Sequence, residues 1–110
     1  MYDLFEEIRN TQSFIDESVR QLREDGKKYA QAEHDYKVAL SKKILSERDK
    51  GIPVTIISDI CRGDEGIAKL RFERDVAEVA YKATQEGINS GKLQLRILDA
   101  QLAREWGAAK

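Results

Sequence analysis

The stretch "GIPVTIISDICRGDEG" (Gly51–Gly66) decides how this chain folds. It holds the only proline, Pro53, the only cysteine, Cys61, and a dense β-branched cluster, and long charged segments flank it on both sides. Three readings compete for it: a loop for phosphate or metal, a DNA-reading turn, and a hinge between helices. Gly51 can end a helix by taking left-handed backbone. Pro53 forbids continuation, because it lacks an N–H and its ring clashes with the preceding turn. The Thr55 hydroxyl is placed to cap a short helical turn over residues 55–62, with Ile57, Ile60 and Cys61 facing the end of the hairpin. Gly63 then closes that turn, and Asp64 opens the next helix as N-cap. Each special residue has a structural role, so the hinge is the preferred reading.

Outward from the hinge, both flanks are periodic. After it, Ile67, Leu70, Ala77, Tyr81, Thr84, Ile88, Gly91, Leu95, Leu98 and Leu102 recur at spacings of three and four, with Arg74 in one slot. That is a heptad-like, coiled-coil-type stripe. "EGINSGK" (Glu86–Lys92) could be a turn, but the phase runs through it without a slip. The spacing therefore predicts one helix over about 64–106, with Gly107 as its stop. Before the hinge, Leu4, Ile8, Ile15, Val19, Leu22, Tyr29, Tyr36, Leu40 and Ile44 share one stripe that keeps phase across Asp25-Gly26. It predicts a helix over about 3–49, roughly 70 Å long at 1.5 Å per residue; a break at Gly26 is the alternative. The predicted fold is all-α: a single helical domain over 1–110, built as a long antiparallel hairpin. Folding back about residue 57 pairs Leu40 with Arg74, Ile44 with Leu70, Val19 with Leu95, Ile15 with Leu98 and Ile8 with Trp106.

One hairpin does not use all the apolar surface. Phe72, Val76, Val79, Ala83, Leu93, Ile97 and Ala100 form a second series, and Val79 stands about 200° from Ala77 on a helical wheel. Contiguous exposed apolar surface marks an interface. Small residues (Ala77, Ala80, Ala83, Thr84, Gly87 and Gly91) would admit another helix closely. The expectation is a helical-bundle oligomer, a dimer being favoured, with Phe72, Val76, Val79, Ala83, Leu93 and Ile97 at its interface.

Charge narrows the function. The chain has 19 Lys plus Arg against 20 Asp plus Glu, a net charge of −1, which fits neither an acidic DNA mimic nor a wholesale nucleic-acid binder. The distribution is uneven: residues 1–26 carry three bases and seven acids, residues 27–50 seven bases and four acids. Lys27, Lys28, Lys37, Lys42 and Lys43 form the best basic patch. Tyr29 and Tyr36 lie among them, as in single-strand binding surfaces, but both fall on the core stripe. A single cysteine excludes an internal disulfide and suits a reducing compartment. "MYDLFEEIRN" has neither the basic nor the apolar region of a signal peptide, and no apolar run approaches a membrane span. The expected location is the cytoplasm, and no membrane partner is expected.

Catalytic and metal readings fare poorly. A helix-turn-helix with Gly63 in its turn would need apolar residues near Asp64 and Lys69. "CRGDEG" lacks the Gly-Lys-Ser/Thr of a phosphate loop, and its acids repel phosphate. Asp59, Asp64 and Glu65 lack calcium-loop spacing. A bundle metal site needs Glu-x-x-His pairs, whereas the one histidine, His34, follows Gln31 and sits beside Glu33 as a surface residue. Cys61 and His34 stand too far apart along the hairpin for a nucleophile pair, so Cys61 reads as a small packing residue. Glu33 and Arg74 are placed to form a polar pair that sets register. No catalytic residue, cofactor or metal is expected.

The runs "YAQAEHDYKVALSKKIL" and "GIPVTIISDICRGDEGIAKLRFERDVAEVAYKA" resemble small helical proteins encoded by phages and prophages of Gram-positive bacteria. The shared features are A-E-x-x-Y-K, the G-x-P-V-T turn, a hydroxyl-capped short helix ending in Arg-Gly-Asp, and L-R-x-x-x-D-x-A-E-x-x-Y, together spanning roughly residues 29–98. The resemblance implies a viral accessory protein of the host cytoplasm. It transfers no activity and no functional residues. Two functions follow: a non-enzymatic interaction protein that self-associates and binds a host or phage protein, or a nucleic-acid-binding accessory of phage DNA metabolism using the basic 27–50 face.

Overall fold

The computed structural model describes residues 3–109. It is 94% helical, with three helices and no strand among those residues. The helices are α1 (Leu4–Asp49), α2 (Val54–Gly63) and α3 (Glu65–Ala109). The fold is an all-α helical hairpin in which α1 packs against α3. Neither Gly26 nor the Gly87–Gly91 stretch interrupts its helix. Propensity costs of about 1 kcal/mol per glycine yield here to the packing of an unbroken apolar stripe.

That stripe is where the sequence places it. Leu4, Ile67, Ile88 and Leu98 are buried. Ile8, Ile15, Val19, Leu22, Tyr29, Tyr36, Leu40 and Ile44 of α1 are at least half-buried, as are Leu70, Ala77, Tyr81, Thr84, Leu95 and Leu102 of α3. The helices divide into two compact units. One joins α1 up to Glu24 with α3 from Lys82, and the other runs from Asp25 to Tyr81 and includes α2.

The ends of the helices show which local signals operate. The Asp3 carboxylate accepts the amides of Phe5 (3.0 Å) and Glu6 (3.3 Å) and caps α1. At the other end, Gly51 adopts φ +79°. Its amide donates to the Arg48 carbonyl (2.9 Å) and that of Ile52 to the Glu47 carbonyl (3.2 Å), the paired bonds of a Schellman closure. Asp64 caps α3 as expected, its Oδ2 accepting the Ile67 amide at 3.1 Å.

Three expectations about ends and packing need correction. Thr55 does not cap α2; Pro53 stands at the N-cap with no side-chain bond, and the helix starts at Val54. Thr55 therefore already lies inside the first turn. α2 does end at Gly63, as expected, without a left-handed turn there. The helix ends because Asp64 is extended (φ −66°, ψ 129°), the conformation its capping of α3 requires. Gly107 does not end α3, which continues to Ala109; a glycine without positive φ only weakens a helix. Ile60 is exposed, while Ile57 and Cys61 are buried, because α2 is narrower in its contact than the three-residue face suggests.

The register also differs. Arg74 lies over Tyr36, 4.7 Å from its ring centre, instead of Leu40. In the other unit, Gly91 meets Ile15, the expected partner of Leu98. Facing positions fall four to seven residues from the expectation, or about one to two turns. Trp106, expected against Ile8, is 61% exposed. The cause is α2. A hinge symmetric about residue 57 would set Asp64 near the end of α1. Instead α2 folds back along α1, where Ile57 shares a hollow with Leu40 and Ile44. Asp64 comes to lie 3.6 Å from Lys43, and α3 begins there. The Glu33–Arg74 pair does not close into a direct ion pair, although the Glu33 charge still favours the Arg74 cation from nearby. Arg74 bonds to Asp75 (2.8 Å), and Glu33 pairs with Lys37 at 3.4 Å.

Candidate functional site

Each unit exposes apolar side chains on the outward side of α3, and the strongest candidate surface is the set in the Asp25–Tyr81 unit. In the Asp25–Tyr81 unit, Phe72 is 67% exposed, Val76 52% and Val79 68%. Spacings of four and three put them on one face. Ala77, on the opposite side, is half-buried. Phe72 and Val76 also border a hollow of about 310 Å³ with Asp25, Lys28 and Glu73, so α1 adds a polar edge to this face. In the other unit, Ala83, Leu93 and Ile97 are likewise exposed. All six residues placed at an interface by sequence are therefore on the surface. The helical wheel reaches this result because one partner helix can cover only one side of α3.

Four of the six small residues face α1 within the hairpin, while Ala80 and Ala83 are exposed. Gly91 is buried by α1: a Cβ there would stand 3.0 Å from Ile15 Cγ1 and 3.3 Å from two ring carbons of Phe14. Thr84, Ala77 and Gly87 also lie on the inner side, half-buried. The close approach these residues permit is used within the hairpin.

The five lysines do not make one face. At 100° per residue, Lys28 and Lys37 stand about 180° apart around α1. Lys43 is half-buried and holds Glu47 at 3.0 Å and Asp64 at 3.6 Å. Its ammonium is kept protonated to higher pH than an ordinary lysine, first by the hydrogen bond to Glu47. Lys37 pairs with Glu33. Lys27, Lys28 and Lys42 are exposed. A phosphate backbone needs several cations on one side, and this helix spreads them around its circumference.

Other chemistry-bearing residues are tied into the scaffold. Tyr29 donates a hydrogen bond to Glu78 (3.2 Å) and packs against Tyr81 at 5.9 Å between ring centres. Cys61 is wholly buried. His34 is exposed, its Nδ1 3.3 Å from Asp35. The Asp64 carboxyl sits below its ordinary range, chiefly because it accepts the Ile67 amide, with Lys43 assisting. An anion at the start of α3 would have to displace it. Among the described residues no three His, Cys, Asp or Glu side chains are grouped to hold a metal, and no helix is long and apolar enough to cross a membrane.

Sequence reasoning missed further exposed apolar residues. Val38 and Leu45 on α1, and Val54 and Ile56 on α2, are exposed. Val38 and Leu45 are seven apart and about 140–180° from Tyr36 and Leu40 on a wheel, so the method applied to α3 would have found them. No protein-family model matches this chain, and neither a curated protein nor a solved structure matches it.

Proposed function

We propose that the chain is a non-enzymatic helical interaction protein, encoded by a phage or prophage, acting in the host cytoplasm by self-association and by binding a protein partner. The observation that carries this reading is the row Phe72, Val76 and Val79, large apolar side chains left more than half exposed beside one another. Burying such side chains contributes roughly 1.5–3 kcal/mol each. A few per chain offset the cost of association at micromolar concentration. A second copy presents the same row, and a two-fold axis would set one against the other.

Light scattering coupled to gel filtration tests it, on wild type and Val79→Glu at matched concentration. The wild type is expected to be a dimer and the variant a monomer with unchanged helical circular dichroism. A wild type that stays monomeric at tens of micromolar removes the self-association claim. Binding to a partner is then sought by affinity capture with the same two proteins. A partner retained equally by Val79→Glu does not use this face.

A further inference from the structure

A second feature, in the Asp25–Tyr81 unit, lies away from the outward side of α3. Where α2 folds back on α1, the two helices leave a hollow of about 350 Å³. Its walls are mostly apolar, with Leu40 and Ile44 from α1 and Val54 and Ile57 from α2, and Tyr36 and Ser58 add a hydroxyl each. Two arginines join the lining, Arg48 from the last turn of α1 and Arg62 from the last turn of α2. Both are exposed, and no carboxylate among the described residues engages either. The lysines nearby behave differently, since Lys43 and Lys50 are both bonded to Glu47.

Small-molecule sites are concave, mostly apolar, of about 300–1,000 Å³, with a few polar groups that fix orientation. This hollow has that composition, and its uncommitted charges are all positive. A guanidinium presents a planar fork of donors that matches a carboxylate or phosphate. We infer that the α1–α2 hollow binds a compact anionic amphiphile, a molecule with an apolar body and one carboxylate or phosphate group. The apolar body lies on Leu40, Ile44 and Ile57, and the anion meets Arg48 or Arg62. The inference does not depend on self-association through α3.

The test uses the full chain with isoleucine δ1-methyl labelling and three probes below their micelle concentrations: octanoate, octyl phosphate and 1-octanol. Octanoate or octyl phosphate is expected to shift the Ile44 and Ile57 methyls in a saturable way. Ile97 on the outer side of α3 and Ile88 in the core should not move. The anion with the higher affinity tells whether the natural ligand carries a carboxylate or a phosphate. Binding of 1-octanol should be at least tenfold weaker. Arg48→Ala or Arg62→Ala should weaken the anion at least tenfold without changing 1-octanol, and lysine at the sensitive position should restore part of the loss. Equal affinity for octanoate, octyl phosphate and 1-octanol overturns the inference. So do shifts centred on Ile97, or anion binding indifferent to both arginines. No methyl shift with either anion at millimolar concentration also overturns it, including the case where only an acidic peptide moves Ile44 and Ile57.

Discussion

The two units bring the same pair of helices together by different chemistry. In the Asp25–Tyr81 unit the contacts are large and polar: Tyr29 on Tyr81, Tyr29 hydroxyl to Glu78, Arg74 over Tyr36, and Lys43 between Glu47 and Asp64. In the other, α3 offers a bare backbone at Gly91, and Phe14 and Ile15 of α1 close on it. Both halves satisfy one apolar period. The period says which side of a helix is inward; the size of the side chains says how near the partner comes. Register is decided by neither, because it is set where α2 returns along α1.

The largest effect that could break this comparison is at Leu98, which is 2% exposed and belongs to the glycine-seated unit. Leu98→Ala removes buried methyl groups and leaves a cavity, an expected loss of about 2–5 kcal/mol, read as the shift of the urea midpoint with its slope unchanged. Ile57→Ala in the other unit, at 4% exposure, should fall in the same range. A loss under about 1 kcal/mol at Leu98 would mean that the glycine-seated half is not packed as described.

Glycine substitutions sharpen the contrast at smaller amplitude. Gly26→Ala places its Cβ 3.4 and 3.8 Å from the Tyr81 ring, ordinary contact distances. Helix propensity then acts alone, and the variant should be more stable by up to about 1 kcal/mol. At Gly91 the same methyl meets Ile15 at 3.0 Å and Phe14 at 3.3 Å. Crowding of a packed interior costs about 1–3 kcal/mol, so Gly91→Ala should be neutral or destabilising. Urea unfolding of the two variants side by side decides it. Equal stabilisation by both would show that α1 does not approach Gly91 closely.

These glycines also show how far the sequence could be read. Gly26 and Gly91 are in phase with Leu22 and Leu95, and phase alone establishes unbroken helices and an inward side. It likewise exposes Phe72, Val76 and Val79, since nothing in one hairpin can reach them. What Gly91 receives is not legible, because an empty position accepts any approaching side chain, from its own chain or another copy. The register depends on the path of a ten-residue helix that carries two buried residues, Ile57 and Cys61, too few to define a pattern. The lysines mislead for a simpler reason: clustering in sequence over 27–43 is dispersion in space on a helix turning 100° per residue. The α1–α2 hollow was out of reach because it exists only once α2 has folded back.

The smallest expected effect concerns acid, and it belongs to the polar unit. Glu47 is buried beside Lys43 (3.0 Å) and Lys50 (3.3 Å). Its carboxyl is held below the ordinary glutamate range, first by the hydrogen bond from Lys43, with Lys50 adding to it and burial opposing. Asp64 is held low chiefly by the Ile67 amide. A carboxyl whose folded pKa is depressed contributes stability that is present above its unfolded pKa and is lost as pH falls through the folded one. Their share should thus be intact at neutral pH and fade below about pH 4, the ordinary carboxylate range. Lys43, raised by Glu47, has the opposite sign. Its share is complete below the ordinary lysine pKa and is lost only as pH climbs above about 10.4. Melting temperature followed from pH 7 down through the carboxylate range, for wild type and Glu47→Gln, isolates one member of the cluster. Glu47→Gln should start lower at pH 7 and decline less steeply in acid, so that the two curves converge. Parallel curves would mean that Glu47 does not take part in acid unfolding.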